Sequence, residues 1–247
     1  MSEKYGDIFQ QKSKYRRGEL PNHYLDWANK PKTYKTYEKS IFTMELPKPV
    51  IKKNIDFWQI VLNRKSTRNF SEDPLSKMDL SVLLFGMTGL TRVHSNFAYR
   101  TIPSAGGLYP IEIYPVINNV EEIEKGIYHY NILEHRLECL KEGNFREEVS
   151  NACLGQKMAY TSAINFIWTA VINRSKWKYL QRCYRYIYLD CGHIGQNLYL
   201  IGEALDLGVC TIGAIFDDEL NELLDVDGVN ETAVYVGVIG KKKYKKR

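Results

Sequence analysis

Residues 100–110 read RTIPSAGGLYP, and they end where an alternating strand pattern begins at Ile111. Gly106 and Gly107 permit positive φ and a close approach to a ligand. Pro103 presets one backbone angle, and Ser104 carries a hydroxyl that both donates and accepts. Such a loop can wrap a flat polar molecule with its backbone N–H groups. A tight turn before a strand would use the same residue types. The company the loop keeps weights it towards chemistry: RKSTR at residues 64–68 lies upstream, and further unusual stretches lie downstream.

The chain has 247 residues, enough for one large domain or two small ones. The formal net charge is +5, and the basic run at 241–247 supplies six positive charges, which leaves the rest at about −1. That balance speaks against a nucleic-acid face on the body. No run of about 18 apolar residues occurs, so no membrane span is expected. The first twenty residues hold no apolar core of a secretory signal, and a cytoplasmic protein is expected. The five cysteines, Cys139, Cys153, Cys183, Cys191 and Cys210, are odd in number and show no C-x-x-C spacing. They read as reduced, mostly buried thiols. The histidines show no H-E-x-x-H pattern, and no metal site is expected.

The elements that would position these residues follow from periodicity. Residues 1–53 are polar and aromatic with four prolines; they read as an arm that wraps the body, with one short helix. Residues 54–63 read as a helix, with Ile55, Trp58, Val61 and Leu62 at helical spacing. Ser76 to Asp79 resembles a capping box, after which Leu80, Leu83, Leu84 and Met87 line one helical face. Gly86 and Gly89 are expected to fray that helix into the loop before Arg100. Runs at 126–132 and 135–140 suggest a hairpin, 145–154 a helix, and 165–172 a buried strand. The pattern from 177 to 206 is helical throughout and apolar nearly all round, which predicts a buried helix of about 45 Å. Gly192, Gly195 and Gly202 each cost about 1 kcal/mol against alanine there; contact with another backbone, such as a symmetry mate's helix, would explain them. Gly208 reads as the C-cap. A short helix at 217–224 and a strand at 232–239 follow. Strands mixed with unlike helices, without a regular βαβ series, predict an α+β fold with one domain over 54–247.

Taken together, RKSTRNF at 64–70, the 100–110 loop, and Tyr184-Arg185-Tyr186 running into GHIGQNL at 192–198 resemble the nitroreductase-fold flavoproteins. The stretches 208–214 and 234–240 also match. Within that fold the chain is similar to the SagB-type dehydrogenases. The resemblance covers about residues 54–243, and its ordered combination of motifs is specific where each motif alone is weak. It implies a nitroreductase-like fold, with a central, mostly antiparallel sheet flanked by helices and a long buried central helix. It implies a homodimer with FMN sites at the subunit interface. It also implies oxidation of peptide-derived azolines, thiazoline or oxazoline, to thiazole or oxazole.

Residue by residue, the resemblance assigns the FMN phosphate and ribityl oxygens to Arg64, Ser66 and Arg68, with Lys65 in the same motif. The chemistry agrees, because guanidinium forks suit a phosphate of roughly two negative charges. Pro103, Ser104, Ala105, Gly106 and Gly107 would come from the other subunit and line the flavin. Thr211, Ile212, Gly213 and Ala214 would approach the isoalloxazine ring, and Lys241 and Lys243 would complete the phosphate site. Gln196 and Asn197 are amides in an apolar helix and need partners, either backbone or flavin. In azoline-oxidising relatives a Lys-Tyr pair at the place of Lys178-Tyr179 is needed for turnover. A tyrosine of pKa about 10 is a poor base at neutral pH unless a cation lowers that value, and Lys178 is suited to do so.

Two other functions are compatible with these residues. One is an NAD(P)H-dependent nitro- or quinone reductase, or a reductase of dehydroamino acids, on the same scaffold. The other is a non-catalytic scaffold that binds a cyclodehydratase or a leader peptide. The Lys-Tyr pair and the Ala-Gly-Gly loop favour the dehydrogenase. Its expected partners are a second copy, a modified peptide and a cyclodehydratase complex, without nucleic acid or membrane.

Overall fold

The computed structural model describes residues 4–51, 55–94 and 97–243. In chain order the elements are α1 (Tyr5–Lys12), β1 (Thr43–Glu45), α2 (Phe57–Asn63), α3 (Lys77–Thr88), β2 (Leu90–His94), β3 (Phe97–Arg100), β4 (Ile111–Ile117), β5 (Gly126–Asn131) and β6 (Arg136–Glu142). They continue with α4 (Arg146–Ala152), α5 (Lys157–Thr161), β7 (Ile164–Val171), α6 (Ile172–Tyr179), α7 (Cys183–Ala204), β8 (Leu207–Ile212), α8 (Asp217–Leu223) and β9 (Glu231–Lys241). The fold is α+β.

The β-rich runs build one seven-stranded sheet in the order β1-β6-β5-β4-β7-β9-β8, every pair antiparallel. Strand β7 lies between β4 and β9, which is why its sequence is apolar without alternation. Phe166 and Trp168 are fully buried there. Helices α3 and α7 cover one face, and α4, α5 and α8 the other, each over its own apolar cluster. The β5–β6 hairpin forms as expected. So does the capping box: the Ser76 hydroxyl accepts from Asp79 N, and the Asp79 carboxylate accepts from Ser76 N. Leu80, Leu83, Leu84 and Met87 then point into the core.

Several expectations are corrected. The helix at 177–206 is not continuous. Leu180 adopts a φ of 49°, a left-handed conformation that stops α6, and α7 starts afresh at Cys183. Its 22 residues span about 33 Å. Nor is it buried all round. Cys183, Ile187, Cys191, Ile194, Leu198 and Gly202 face the core, whereas Tyr188, Leu189, Gly192, His193 and Gln196 are exposed. Gly195 and Gly202 are explained inside one chain: a β-carbon on Gly202 would lie 2.3 Å from Val209 Cγ2, and one on Gly195 would touch Tyr235 at 3.4 Å. A β-carbon on Gly192 would meet nothing within 4 Å. Gly208 lies inside β8 instead of capping the helix; Asp206, at φ 58°, makes that turn. Gly86 does not fray α3 but lets Ile201 of α7 approach, since a β-carbon there would sit 2.1 Å from Ile201 Cδ1. After Gly89 comes the β2–β3 hairpin, where a loop was expected. Helix α2 begins at Phe57, later than read, with the Asp56 carboxylate accepting from Trp58 N.

Residues 4–51 run over the body. Arg185 donates to Gln10 O and Ser13 Oγ, Trp177 Nε1 donates to Asp26 O, and β1 adds the edge strand. Beneath this arm lies a buried ionic chain. Both ring nitrogens of His129 face carboxylates, Nδ1 donating to Glu138 Oε2 and Nε2 to Glu112 Oε2, each at 2.9 Å. Arg174 pairs with Glu112 and donates from Nε to Lys32 O of the arm. Burial alone would raise the Glu112 carboxyl, but Arg174 and His129 outweigh it and hold it down at about 2. Burial alone would lower His129; its two carboxylate partners win and raise it.

Candidate active site

The stretch from Arg64 to Arg68 lies along the free edge of β8. Ser66 bridges Val209, and Thr67 N donates to Val209 O. Tyr199, on α7, organises this edge. Its hydroxyl shares a 3.0 Å hydrogen bond with Ser66 Oγ and accepts from Thr211 N at 3.0 Å. The Arg64 guanidinium rests over the Tyr199 ring, 5.2 Å from its centre, and the Thr211 and Tyr235 hydroxyls are bonded at 2.6 Å. One phenol therefore ties the basic motif to the 211–214 stretch. Lys65, Ser66, Arg68, Gly213 and Ala214 are exposed, and Ile212 is buried. Lys241 lies opposite Leu207, at the other end of β8 from residues 211–214, and its carbonyl accepts from Ser71 N. Lys242 turns away to Glu203 and Asp206. Lys243 lines a polar cavity together with Phe70, the last residue of the 64–70 motif, and Ser71.

The 100–110 loop is held by Asp190 of α7. Its carboxylate accepts from Ser104 Oγ and from Ala105 N, and Ser104 Oγ in turn accepts from Tyr109 N at 2.9 Å. Gly106 and Gly107 both take φ 65°. A β-carbon on Gly106 would lie 2.6 Å from the Tyr179 hydroxyl and 3.0 Å from Lys178 Nζ. The loop and the Lys-Tyr pair thus meet, and Pro103, Gly106 and Gly107 remain exposed beside them. The Lys178 ammonium lies over the Tyr179 ring, 5.5 Å from its centre. The lowered tyrosine pKa expected from that lysine is not found: burial, then Tyr186 and Asp190, push the Tyr179 phenol up. Asn197 finds a backbone partner, donating to Gly86 O at 2.9 Å, whereas Gln196 is exposed.

These two clusters sit on opposite flanks of α7. Asp190 and Tyr199 are nine positions apart, about 13 Å along the axis and about 180° around it. Within one chain the basic motif and the glycine loop do not face each other.

A family model described as the nitroreductase family matches residues 61–241. The chain belongs to the nitroreductase family. This nitroreductase-family oxidoreductase is 33% identical over 184 residues to MJ1384 of Methanocaldococcus jannaschii, named as a candidate nitroreductase, with 74% of the present chain and 91% of that protein covered. It is 28% identical over 145 residues to TfxB of Rhizobium leguminosarum bv. trifolii, a trifolitoxin-processing protein, covering 57% of this chain and 39% of TfxB. Among solved structures, a candidate nitroreductase from Anabaena variabilis superposes with a TM-score of 0.79 at 30% identity, over 94% of this chain and 45% of that one. A chain of the E. coli microcin synthetase McbBCD complex, solved with truncated pro-MccB17 bound, superposes with a TM-score of 0.63 at 20% identity, over 97% and 92% of the two chains; it shares the fold.

Members of this family are flavin-dependent oxidoreductases. The residues present fit a phosphate-bearing flavin. Arg64 and Arg68 form no ion pair among the described residues. A β-carbon on Gly107 would meet nothing within 4 Å, and Gly213 has only the Tyr235 ring near it, at 3.6 Å. Tyr199 and Asp190 were not singled out from sequence. Each acts on a partner more than 80 residues away, and no local pattern in the sequence pointed to either.

Proposed function

We propose that the protein is an FMN-dependent dehydrogenase that oxidises azoline rings, thiazoline or oxazoline, in a ribosomally made modified peptide. The observation that carries the reading is the contact of the Lys178-Tyr179 pair with the exposed Gly106 turn. The similarity to a trifolitoxin-processing protein supports a peptide substrate. A peptide-modifying partner such as a cyclodehydratase belongs to the same reading.

The working unit is a homodimer. Arg64, Ser66, Arg68 and Lys241 of one copy hold the FMN phosphate, and Thr211 to Ala214 of that copy meet the ring. The loop from Pro103 to Gly107 comes from the other copy and brings Lys178 and Tyr179 with it. The placement of the two clusters on opposite flanks of α7 supports this sharing. So does the open face of α7, where Leu189 is 59% exposed, and of α2, where Trp58 is 69% exposed. Apolar faces of this kind mark interaction sites.

When bound, FMN supplies the two-electron acceptor that takes hydride from the azoline ring. The chain supplies the proton acceptor: Tyr179 Oη, as the phenolate, removes the proton from one of the two saturated ring carbons as the C=C bond between them forms. A base must stand within about 3 Å of that proton, directly or through one water. Lys178 lies over the Tyr179 ring and orients it. Asp190 keeps the glycine loop at the height the pair requires.

The test is single-turnover flavin reduction by a thiazoline peptide under anaerobic conditions. Bleaching of the flavin with formation of a thiazole supports the reading. Steady NAD(P)H oxidation with nitroaromatics, and no bleaching by azoline peptides, would instead make the protein a reductase.

A further inference from the structure

In one unbroken helix Tyr179 and Tyr186 would stand two turns apart, about 10 Å along the axis. Their ring centres lie 4.5 Å from each other, with the planes tilted by 56°, at the short end of the range for aromatic pairs. The break at Leu180 makes that contact. Its φ of 49° and ψ of −137° fall outside the small left-handed helical region, in the corner used by the first central residue of a type II′ turn and favoured by glycine. A leucine held there is strained. Its own side chain gains little from the position, since Leu180 is 36% exposed. Strain of this kind persists only where the surroundings over-determine the backbone, and it gathers at working sites.

The N-terminal arm supplies those surroundings on both sides of the turn. Before it, Trp177 Nε1 donates to Asp26 O. After it, Arg182 Nη1 donates to Ser13 O, and Arg185 Nε donates to Ser13 Oγ. The Arg182 guanidinium also lies over the Tyr15 ring, 4.2 Å from its centre.

Residues 172–189 include no aspartate or glutamate, and Arg182 is in no salt bridge among the described residues. Its Nε donates to Tyr186 Oη at 2.9 Å. Tyr186 is therefore fixed at its hydroxyl by Arg182 and packed along its ring against Tyr179. Tyr179 in turn carries its hydroxyl to the Gly106 turn.

We infer that Tyr186 is a positioning residue for Tyr179. Its ring, aimed by Arg182, restricts the rotamers open to Tyr179 and keeps the phenol oxygen at the Gly106 turn. The strained turn at Leu180 exists to bring the two rings together. Ser13, Arg182, Tyr186 and Tyr179 form one connected line from the arm to the site. The inference rests on the reading of Tyr179 as the base and adds the group that aims it.

The experiment is a double-mutant cycle on the FMN-loaded protein. It is read as single-turnover flavin reduction by a thiazoline peptide over a range of peptide concentrations. A misplaced reacting group costs up to about 100-fold, and Tyr186→Leu is expected to lower the limiting rate by roughly tenfold or more within that range. The half-saturating peptide concentration and the flavin content should not change. Tyr186→Phe keeps the ring and should stay near the wild-type rate. In a Tyr179→Phe background, Tyr186→Leu should cause no further loss, because the group it aims is gone. A residue that only supports the fold would add its loss in both backgrounds. A Tyr186→Leu protein at the wild-type rate would overturn the inference and leave the base assignment standing. So would equal losses for leucine and phenylalanine at position 186, or losses that add to those of Tyr179→Phe. Tyr179→Phe at the wild-type rate would overturn both.

Discussion

The Tyr179 hydroxyl stands 2.6 Å from the point where a β-carbon on Gly106 would be. That position is closed to every side chain for two reasons, since Gly106 also takes φ 65°. Gly106→Ala is therefore expected to displace the Lys178-Tyr179 pair as well as strain the turn. The strain costs about 1 kcal/mol, seen as a modest drop in melting temperature. Turnover should fall much further, and flavin content should stay constant. Loss of stability without loss of turnover would separate the loop from the chemistry.

The phosphate grip is tested by flavin retention. Arg64→Ala with Arg68→Ala removes both guanidinium forks, and the purified variant should lose most of its flavin absorbance. Tyr199→Phe keeps the ring under Arg64 but removes the hydroxyl that joins Ser66 to Thr211. It should weaken FMN retention less, and the cofactor released from wild type should be FMN rather than FAD.

Tyr179→Phe should lower turnover by about 10²–10⁴-fold, the usual worth of a general base, while FMN and assembly persist. The pH profile carries a sign. Burial, Tyr186 and Asp190 push the phenol above 10.0, so its basic form is scarce at neutral pH and turnover should climb with pH through the alkaline range. Tyr179→Phe should flatten that climb. A wild-type rate that falls above pH 8 without loss of FMN would remove Tyr179 as the base.

Acid stability should depend on the Glu112–His129–Glu138 chain. Glu112 is held at about 2 against an ordinary 4.5. Its contribution is complete above pH 4.5 and is lost as pH falls towards 2, roughly 3 kcal/mol at one pKa unit per 1.36 kcal/mol. His129 is raised, so its contribution is complete below 6.5 and lost as pH climbs through the raised value. Melting temperature should therefore fall between pH 5 and pH 3. Glu112→Gln should melt lower at pH 5, because it leaves Arg174 and His129 buried with less charge against them, and should fall less on acidification.

Much of this was legible in the sequence. Ser76 and Asp79 announced α3, and the unbroken apolar run announced β7. Local chemistry carries such signals. Leu180 was not legible as a break, because a left-handed leucine is fixed by what packs around it and no glycine or proline marks it. Gly202 and Gly86 were misread for a related reason. Their partners, Val209 and Ile201, are set by how helices and sheet meet. The role of Tyr199 was invisible because its partner Ser66 lies 133 residues away. The phenol shift at Tyr179 ran against expectation because burial, Tyr186 and Asp190 act on it, while Lys178 sits over the ring face.

The shared site is tested most directly by complementation. One inactive variant carries Arg64→Ala and Arg68→Ala, the other Tyr179→Phe, and the two are co-expressed with different tags so that the mixed dimer can be isolated. If one chain's arginines work with the other chain's Tyr179, the mixed dimer holds one site with both parts intact and one with neither. It should then reduce flavin with a thiazoline peptide at about half the wild-type amplitude and at the wild-type rate. If arginines and tyrosine of the same chain form the site, both sites in the mixed dimer are damaged, and activity no higher than that of the parents would contradict the account.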